Sequence, residues 1–264
     1  MSTIRTERST ACAARELKFR VASLIRSALR QAAVVAALIV TVGSRAQAQL
    51  PTVTQVYDKY ATAIGGREAW AKVTDRAEKG TADITFAGIS GTYERYYAAP
   101  NKFRLTIDLG VGKVEQVADG VTAWTAQPGG AAIKMEAADA AYVLEGSATG
   151  AAFLDAKRFA KVEVLAQEAF DGVACYKVQI TTNGGRERTD FFEVASGLRR
   201  GSMLKTPNGE QKSVFKDYKP FDGKMAATKV VQSNGQGDIV ITITSVTFTP
   251  NDPALFALPP GISK

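Results

Sequence analysis

Few side chains in this sequence are suited to chemistry, and histidine is absent from all 264 residues. Histidine is the usual general base beside a serine or cysteine nucleophile, and it is the commonest ligand of transition metals. The sequence also lacks a metal-binding cysteine pair, a Walker loop and a dinucleotide-binding glycine fingerprint. These absences argue against histidine-dependent nucleophiles, histidine-liganded metals and nucleotide-dependent enzymes.

Two weaker chemical signals remain. Ser202 and Lys205 match the Ser-x-x-Lys pattern of penicillin-recognising enzymes, but that pattern needs a helix start and a later Lys-Thr-Gly. Ser202 lies in a predicted strand, Lys-Thr-Gly is missing, and Ser213 with Lys216 repeats the match by chance. Cys175 has no histidine to activate it, so we expect an inert thiol. We therefore expect no catalytic residue, no metal site, no cofactor and no enzymatic activity.

The first 48 residues have the pattern of a secretory signal peptide. An apolar run at residues 32–43 follows a basic segment and leads to Ala46-Gln47-Ala48, a small-x-small cleavage pattern. The run is too short to anchor the chain across a bilayer. We expect cleavage after Ala48, periplasmic localisation and a single domain at residues 49–264. A buried core helix is the alternative for residues 32–43.

Removing this leader changes the charge balance. Eight of the 33 Lys and Arg residues and two of the 26 acidic residues lie in it, which leaves 25 basic against 24 acidic. The formal charge of +7 is therefore a property of the leader, and we expect no nucleic-acid partner. Because Cys12 also lies in the leader, the remaining chain has no disulfide and must rest on a hydrophobic core.

The clearest strand pattern lies at residues 212–248. β-Branched and aromatic residues dominate this stretch, and Asp222-Gly223 and Asn234-Gly235 interrupt it. Both pairs accept the positive φ of tight hairpin turns, so we predict three antiparallel strands.

The last of these strands has apolar residues at both odd and even positions. Strict alternation would put Ile239, Ile241 and Ile243 on one face, and Val240, Val246 and Phe248 on the other. A strand that is apolar on both faces is covered on both sides. We therefore expect a helix or a bound ligand against each face of the sheet.

The chain before this stretch is predicted to begin with helices. Thr52 and Gln55 form a capping-box pair for a helix at residues 52–64, and a short helix follows at residues 67–72. Strands are predicted next, and with the closing stretch they number about eleven. They lie at residues 76–86, 89–98, 102–109, 113–118, 121–126, 161–170, 173–181, 188–194 and 198–205.

The strand pattern stops between residues 127 and 160. Residues 136–145 are rich in alanine and favour a helix, and residues 153–159 favour another short one. Gly146 and Gly150 interrupt the segment, which has few large apolar side chains and is expected to pack weakly. A mobile lid and an ordinary connection are equal alternatives for it.

Six stretches of the chain resemble the LolA-like outer-membrane lipoprotein-sorting superfamily in their sequence and order. They are VYDKYATAIGG at 56–66, KGT at 79–81, APNK at 99–102, DGVTAW at 119–124, KDYKPFDG at 216–223 and LFALP at 255–259. The resemblance implies a mainly β fold, an incomplete antiparallel β-barrel with an N-terminal helix and a helical lid. It also implies a periplasmic carrier that takes the acyl chains of lipids or lipoproteins into an apolar cavity. The donor or acceptor would be membrane-bound.

Other functions stay open beside this one. An envelope sensor or scaffold of the same fold is the main alternative, and an enzyme is the remote one. No invariant polar residue of the carriers can be placed on this sequence residue by residue.

The expected ligand site lies between the sheet and the lid. Its predicted apolar side chains are Ile84, Phe86, Phe103, Leu105, Ile107 and Trp124 from the sheet, and Tyr142, Leu144, Phe153 and Leu154 from the lid. The alternative is that the same side chains fill a solid core.

Overall fold

A computed structural model describes residues 49–206 and 209–257, in which thirteen strands form one sheet. The predicted signal peptide lies outside the described residues. The strands are β1 (Asp75–Ile84), β2 (Ile89–Ala98), β3 (Lys102–Asp108), β4 (Lys113–Ala118), β5 (Ala123–Ala126), β6 (Ile133–Lys134), β7 (Lys161–Phe170), β8 (Val173–Thr181), β9 (Glu187–Glu193), β10 (Arg199–Thr206), β11 (Gly209–Phe221), β12 (Lys224–Ser233) and β13 (Asp238–Thr247).

The described helices lie before β1, in the β6–β7 connection and after β13. They are α1 (Val53–Ala63), α2 (Arg67–Ala71) and α3 (Ala137–Gly146), with short 3-10 helices at Gly150–Leu154, Ala156–Arg158 and Pro253–Phe256. No helix in the described ranges is long and apolar enough to cross a membrane.

The sheet is an antiparallel meander that does not close. Its strand order is β6-β5-β4-β3-β2-β1-β13-β12-β11-β10-β9-β8-β7. The first strand in the chain, β1, therefore pairs with the last, β13, in the middle of the sheet. The two edges, β6 and β7, are neighbours in the chain, and the segment between them must cross the open side. The predicted fold class, an incomplete antiparallel barrel with a few helices, is confirmed, with thirteen strands where about eleven were expected.

Helix α1 begins as its sequence predicts. The Thr52 hydroxyl accepts a hydrogen bond from the Gln55 backbone N–H at 3.2 Å, and the Gln55 side chain accepts one from the Thr52 N–H at 2.8 Å. This capping box satisfies two donors that the first turn leaves unpaired. The helix then buries Val56, Tyr57 and Ala61 against the sheet.

A β-bulge in β13 corrects the predicted facing of the last strand. Lys79 of β1 is opposite Ser245, but the next residue, Gly80, is opposite Ile243, so Thr244 is an extra residue. The bulge shifts the alternation by one, and Val246 and Phe248 pack in the same cluster as Ile241 and Ile243. The strand therefore has one apolar face here, and not the two that strict alternation predicts.

A smaller cluster lies on the other face of the sheet and contains Cys175. This cysteine shares its face with Lys177 and Gln179, as predicted, and is fully buried against Phe170, Phe191 and Val214. Burial, with a smaller contribution from the Glu193 carboxylate, raises the pKa of the thiol to about 11.

We expect the Cys175 thiol to be unreactive in the folded protein. In a chain that begins at Gln49, iodoacetamide should add no mass in buffer and one carbamidomethyl group in concentrated urea, because a buried neutral thiol is a poor nucleophile. Intact-mass measurement checks this. Rapid labelling of the folded chain would contradict the buried position.

Candidate functional site

The inner face of the sheet is the face against which α1 and α3 pack. Val56 and Tyr57 of α1 lie against Val178, Ile180 and Phe192, which come from β8 and β9. Helix α1 therefore covers the half of the sheet that ends at β7.

Helix α3 covers the opposite half. Val143 of α3 is buried against Tyr97, Phe103, Ala118 and Ala123, from β2 to β5. The far side of the same helix reaches the β8–β9 turn, where polar contacts secure it. The helix thus bridges the opening between the two halves of the sheet, which is the position predicted for the lid.

Those polar contacts join two residue pairs. The Glu145 carboxylate accepts a hydrogen bond from the Asn183 backbone N–H at 2.9 Å, and Asp139 forms an ion pair with Arg186. Ala141 also packs closely against Gly184.

The segment after α3 is attached to α2. Phe153 lies with its ring centroid 4.9 Å from that of Trp70, and the Arg67 guanidinium donates to the Leu154 carbonyl at 3.1 Å. Gly150 has a φ of +61° and lies close to the backbone of Val73, which favours glycine at this turn. We call residues 137–158 the lid from here on.

A cavity of about 160 Å³ remains between the lid, the first two helices and the inner face. Its apolar wall consists of Trp70, Val73, Ala148, Phe153, Phe215, Met225, Ala226, Ala227, Val230 and Ile243. Its polar wall consists of Arg76, Glu78, Arg95, Arg199, Thr149 and the tyrosines Tyr60, Tyr97 and Tyr218. Gly146 and Gly150 complete the lid side. An apolar cavity of about 150 Å³ holds a molecule of the size of benzene, so a whole acyl chain requires the lid to move outward.

Most of the predicted site residues lie in the packing between lid and sheet. Phe103, Leu105, Tyr142 and Leu144 meet in one cluster, and Ile107 packs with Leu105 in the neighbouring one. Phe153 and Leu154 belong to the cluster around Trp70. Of the ten predicted residues, Phe153 alone is among the described residues that line the cavity.

Three predicted residues lie outside this packing: Ile84, Phe86 and Trp124. Phe86 is 52% exposed in the β1–β2 turn, where its ring covers Gly237. Ile84 is half-buried at the end of β1, opposite Ile239.

Trp124 is buried on the outer face of the sheet. Its neighbour Ala123 is the residue that faces inward, and in register Trp124 stands opposite Val117. Phe86 and Trp124 therefore do not belong to the expected surface. The sequence could not predict which face of β5 Trp124 occupies, because that depends on where the strand begins after the Asp119-Gly120 turn. The structure shows a four-residue loop there, at residues 119–122.

Sequence reasoning missed the charged side chains on the inner face. Glu78 is opposite Arg95 in register, and its carboxylate accepts hydrogen bonds from Arg95 Nε at 2.9 Å and Nη2 at 2.6 Å. Arg76 lies two residues before Glu78 on the same face, with its Nε 3.2 Å from the same carboxylate. The sequence signal for this group was Arg95, a charged residue that shares a strand face with Tyr93 and Tyr97 in β2.

Burial and these arginines act on Glu78 in opposite directions. Burial alone would raise the pKa of this carboxyl group, but the charges of Arg95 and Arg76 and the Arg95 hydrogen bond lower it. The group is therefore ionised at neutral pH. Among residues 49–206 and 209–257, no three His, Cys, Asp or Glu side chains come together as metal ligands would.

Fold and site together define a class: an open antiparallel half-barrel whose inner face is covered by helices around a cavity. Solved structures share this architecture. A LolA superfamily protein from Nitrosomonas europaea is 12% identical, with a TM-score of 0.53 over 79% of this chain and 99% of that one. A DUF1329 family protein from Desulfovibrio piger is 14% identical, with a TM-score of 0.53 over 79% of this chain and 98% of that one. The LolA-like fold indicated by the sequence is thus confirmed.

Comparison at the sequence level gives no match. No protein-family model matches the chain, and no curated protein matches it. The similarity therefore concerns the fold.

Proposed function

We propose that this protein binds acyl chains of lipids or lipoproteins in the cavity beneath the lid and acts as a non-catalytic carrier in the bacterial periplasm. The observation that carries the proposal is the cavity itself, a space with one apolar wall between the open inner face and a lid that bridges the sheet edges. The sequence resemblance to the LolA-like superfamily implies this class of ligand, and a LolA superfamily protein shares the fold. The signal-peptide pattern supports export.

The lid is suited to opening. Within α3, Val143 is the one buried apolar side chain, and the other α3 contacts are half-buried or polar; the second buried apolar side chain of the lid, Leu154, lies beyond the helix. A segment with little buried apolar area opens at a lower free energy than the sheet beneath it. Opening would expose Phe103 and Leu105 and extend the cavity along β3.

The expected affinity follows from the buried chain. Each CH₂ that leaves water contributes about 0.8 kcal/mol, so a long acyl chain contributes on the order of 10 kcal/mol. Lost rigid-body freedom and lid ordering oppose binding by several kcal/mol, which leaves a Kd roughly in the micromolar range. Such an affinity suits a carrier, because a carrier must also release its ligand.

Titration with a fluorescent fatty acid tests the proposal with two matched tryptophan variants. Ala148→Trp puts a large ring into the cavity from the lid side, whereas Ala137→Trp puts the same ring on an exposed position of α3. We expect saturable binding by the wild type, binding at least about tenfold weaker for Ala148→Trp, and unchanged binding for Ala137→Trp. A folded wild type that binds no lipid class saturably would overturn the proposal. Equal binding by the two variants would place the ligand elsewhere.

A further inference from the structure

Two clusters of charged side chains each consist of two arginines around one buried carboxylate. In the first, Glu78 lies between Arg76 and Arg95, with nitrogen–oxygen distances of 3.2 and 2.6 Å. The Glu78 side chain is 4% exposed, so its negative charge is enclosed by the two guanidinium groups. One carboxylate neutralises one guanidinium, and a single positive charge is left over.

The second group repeats this arrangement on β9 and β10. Asp190 Oδ1 lies 2.7 Å from Arg199 Nη2 and 3.0 Å from Arg188 Nε, and the Asp190 side chain is 4% exposed. This triad also has one surplus positive charge. Its Arg199 lines the same cavity wall as Arg76 and Arg95, so the surplus charges of both triads lie around one space.

Arg199 has hydrogen-bonding capacity left over. Its Nε is buried, and within the described part of the chain it makes no hydrogen bond. Its guanidinium carbon lies 4.8 Å from the centroid of the Phe215 ring, which belongs to the apolar wall of the cavity. A donor without an acceptor therefore stands beside an apolar surface, which is the arrangement that an acidic group on an acyl chain would complete.

A further cation, Arg158, stands near the second triad. Within the described residues no carboxylate pairs with it; it donates to the Glu145 carbonyl and lies over the Phe159 ring. Burial first, and then the charge of Arg188, lowers the pKa of Arg158 to about 10. The two triads and Arg158 of the lid thus combine five guanidinium groups with two carboxylates, and unneutralised charge at a buried position is unfavourable unless an anion accompanies it.

We propose that the ligand of this cavity is an anionic amphiphile, whose carboxylate or phosphate head binds between Arg76 and Arg199 while its chain lies along the apolar wall. This inference rests on the proposed function and adds the chemical class of the head group. The head would accept charge-assisted hydrogen bonds from donors such as Arg199 Nε, and it would neutralise the surplus charge of the two triads. A neutral lipid of equal chain length would leave the Arg199 donor without a charged acceptor and the surplus charge without a counter-charge.

The test uses isothermal titration calorimetry of the folded protein with four ligands that share one chain length. Myristate and tetradecyl phosphate are anionic, methyl myristate is neutral and tetradecylammonium is cationic. We expect both anions to bind at least about tenfold more tightly than methyl myristate, since one charge-assisted hydrogen bond corresponds to about that factor. Tetradecylammonium should bind most weakly. Inorganic phosphate, which has no chain, should bind more weakly than tetradecyl phosphate.

Variants locate the head group. Arg199→Gln leaves Asp190 paired with Arg188, and Arg76→Gln leaves Glu78 with both Arg95 hydrogen bonds, so each variant retains a balanced pair and is expected to fold. Each should weaken myristate binding about tenfold and leave methyl myristate binding unchanged. The matched control is Arg104→Gln, at an outward position of β3 where Arg104 pairs with Glu115. Thermal unfolding verifies that all three are folded.

The outcomes separate the two proposals. Equal binding of myristate and methyl myristate, unchanged by either arginine variant, would overturn the anionic head group and leave acyl-chain binding in place. Inorganic phosphate that binds as tightly as tetradecyl phosphate would overturn an amphiphile as the ligand. If none of the four chains binds, the proposed function itself is wrong.

Discussion

Replacing Glu78 with glutamine should lower the free energy of unfolding by about 3–5 kcal/mol, the range measured when one partner of a buried ion pair is removed. The variant leaves Arg76 and Arg95 as adjacent half-buried cations without a counter-charge, since both pair with this one buried carboxylate. Urea denaturation followed by circular dichroism measures the loss. Asp190→Asn should behave similarly, because Asp190 occupies the same position between Arg188 and Arg199.

The matched control is Glu94→Gln. Glu94 pairs with Lys79 at 3.0 Å, but the two side chains are 39% and 55% exposed. An exposed pair contributes at most about 1 kcal/mol, so this variant should unfold close to the wild type. Equal losses for Glu78→Gln and Glu94→Gln would contradict the buried triad.

The effect of Glu78→Gln should depend on pH in a defined direction. The folded-state pKa of Glu78 is lowered, so its ionised form stabilises the protein at pH values above the unfolded carboxyl pKa of about 4.3. That contribution is lost as the pH falls through the folded-state value. The stability difference between wild type and variant should therefore be largest at neutral pH and shrink in acid. A difference that stays constant in acid would contradict the assignment.

A disulfide between the lid and the β8–β9 turn should abolish ligand uptake. The Cβ of Ala141 lies 2.9 Å from the position that a Cβ on Gly184 would take, and a disulfide needs about 3.8 Å, so a small outward shift of the turn accommodates the bond. In the double variant Ala141→Cys/Gly184→Cys, oxidation holds α3 against the turn. Because the cavity of about 160 Å³ beneath the lid is too small for a whole acyl chain, we expect uptake to fall by more than about tenfold.

Stopped-flow fluorescence with a fatty-acid probe measures this uptake before and after reduction. Dithiothreitol should restore the wild-type rate, and the single variants Ala141→Cys and Gly184→Cys should take up the probe normally under the same oxidant. Unchanged uptake by the oxidised double variant would show that the chain enters without movement of α3.

The facing of the regular strands and the helix start could be predicted from the sequence. Phe103, Leu105 and Ile107 alternate with polar residues in a strand without a bulge, so a period of two assigns them to the inner face as the structure does. The capping box at Thr52 and Gln55 is a local interaction that depends on no distant residue. Local signals of this kind transfer directly from sequence to structure.

The sequence could not predict which face of the sheet the side chains of β13 occupy beyond its β-bulge. Thr244 is an extra residue opposite β1, and it places Val246 and Phe248 on the face opposite to the one that alternation gives. Gly80 marks the site: a Cβ there would lie 1.9 Å from the Thr242 carbonyl oxygen. The glycine is visible in the sequence, but its pairing partner, Ile243, lies 163 positions further along the chain and is not identified by it.

The charged part of the site required the register between strands. Arg76 and Glu78 have the spacing of one strand face, whereas the convergence of Glu78 with Arg95 depends on the pairing of β1 with β2. The sequence-based site was therefore entirely apolar. Most of its residues form the packing between lid and sheet, and the structure adds the arginines that surround the cavity.

Photoaffinity mapping with a diazirine-labelled myristate tests the central claim most directly, because it reports which residues the chain touches. After irradiation and digestion, we expect the label on peptides that contain Phe153, Phe215 and Val230, which line the cavity, and competition by excess unlabelled myristate. Labelling confined to exposed apolar side chains such as Val111, Val121 and Ile133, unaffected by the competitor, would contradict an acyl-binding cavity beneath the lid.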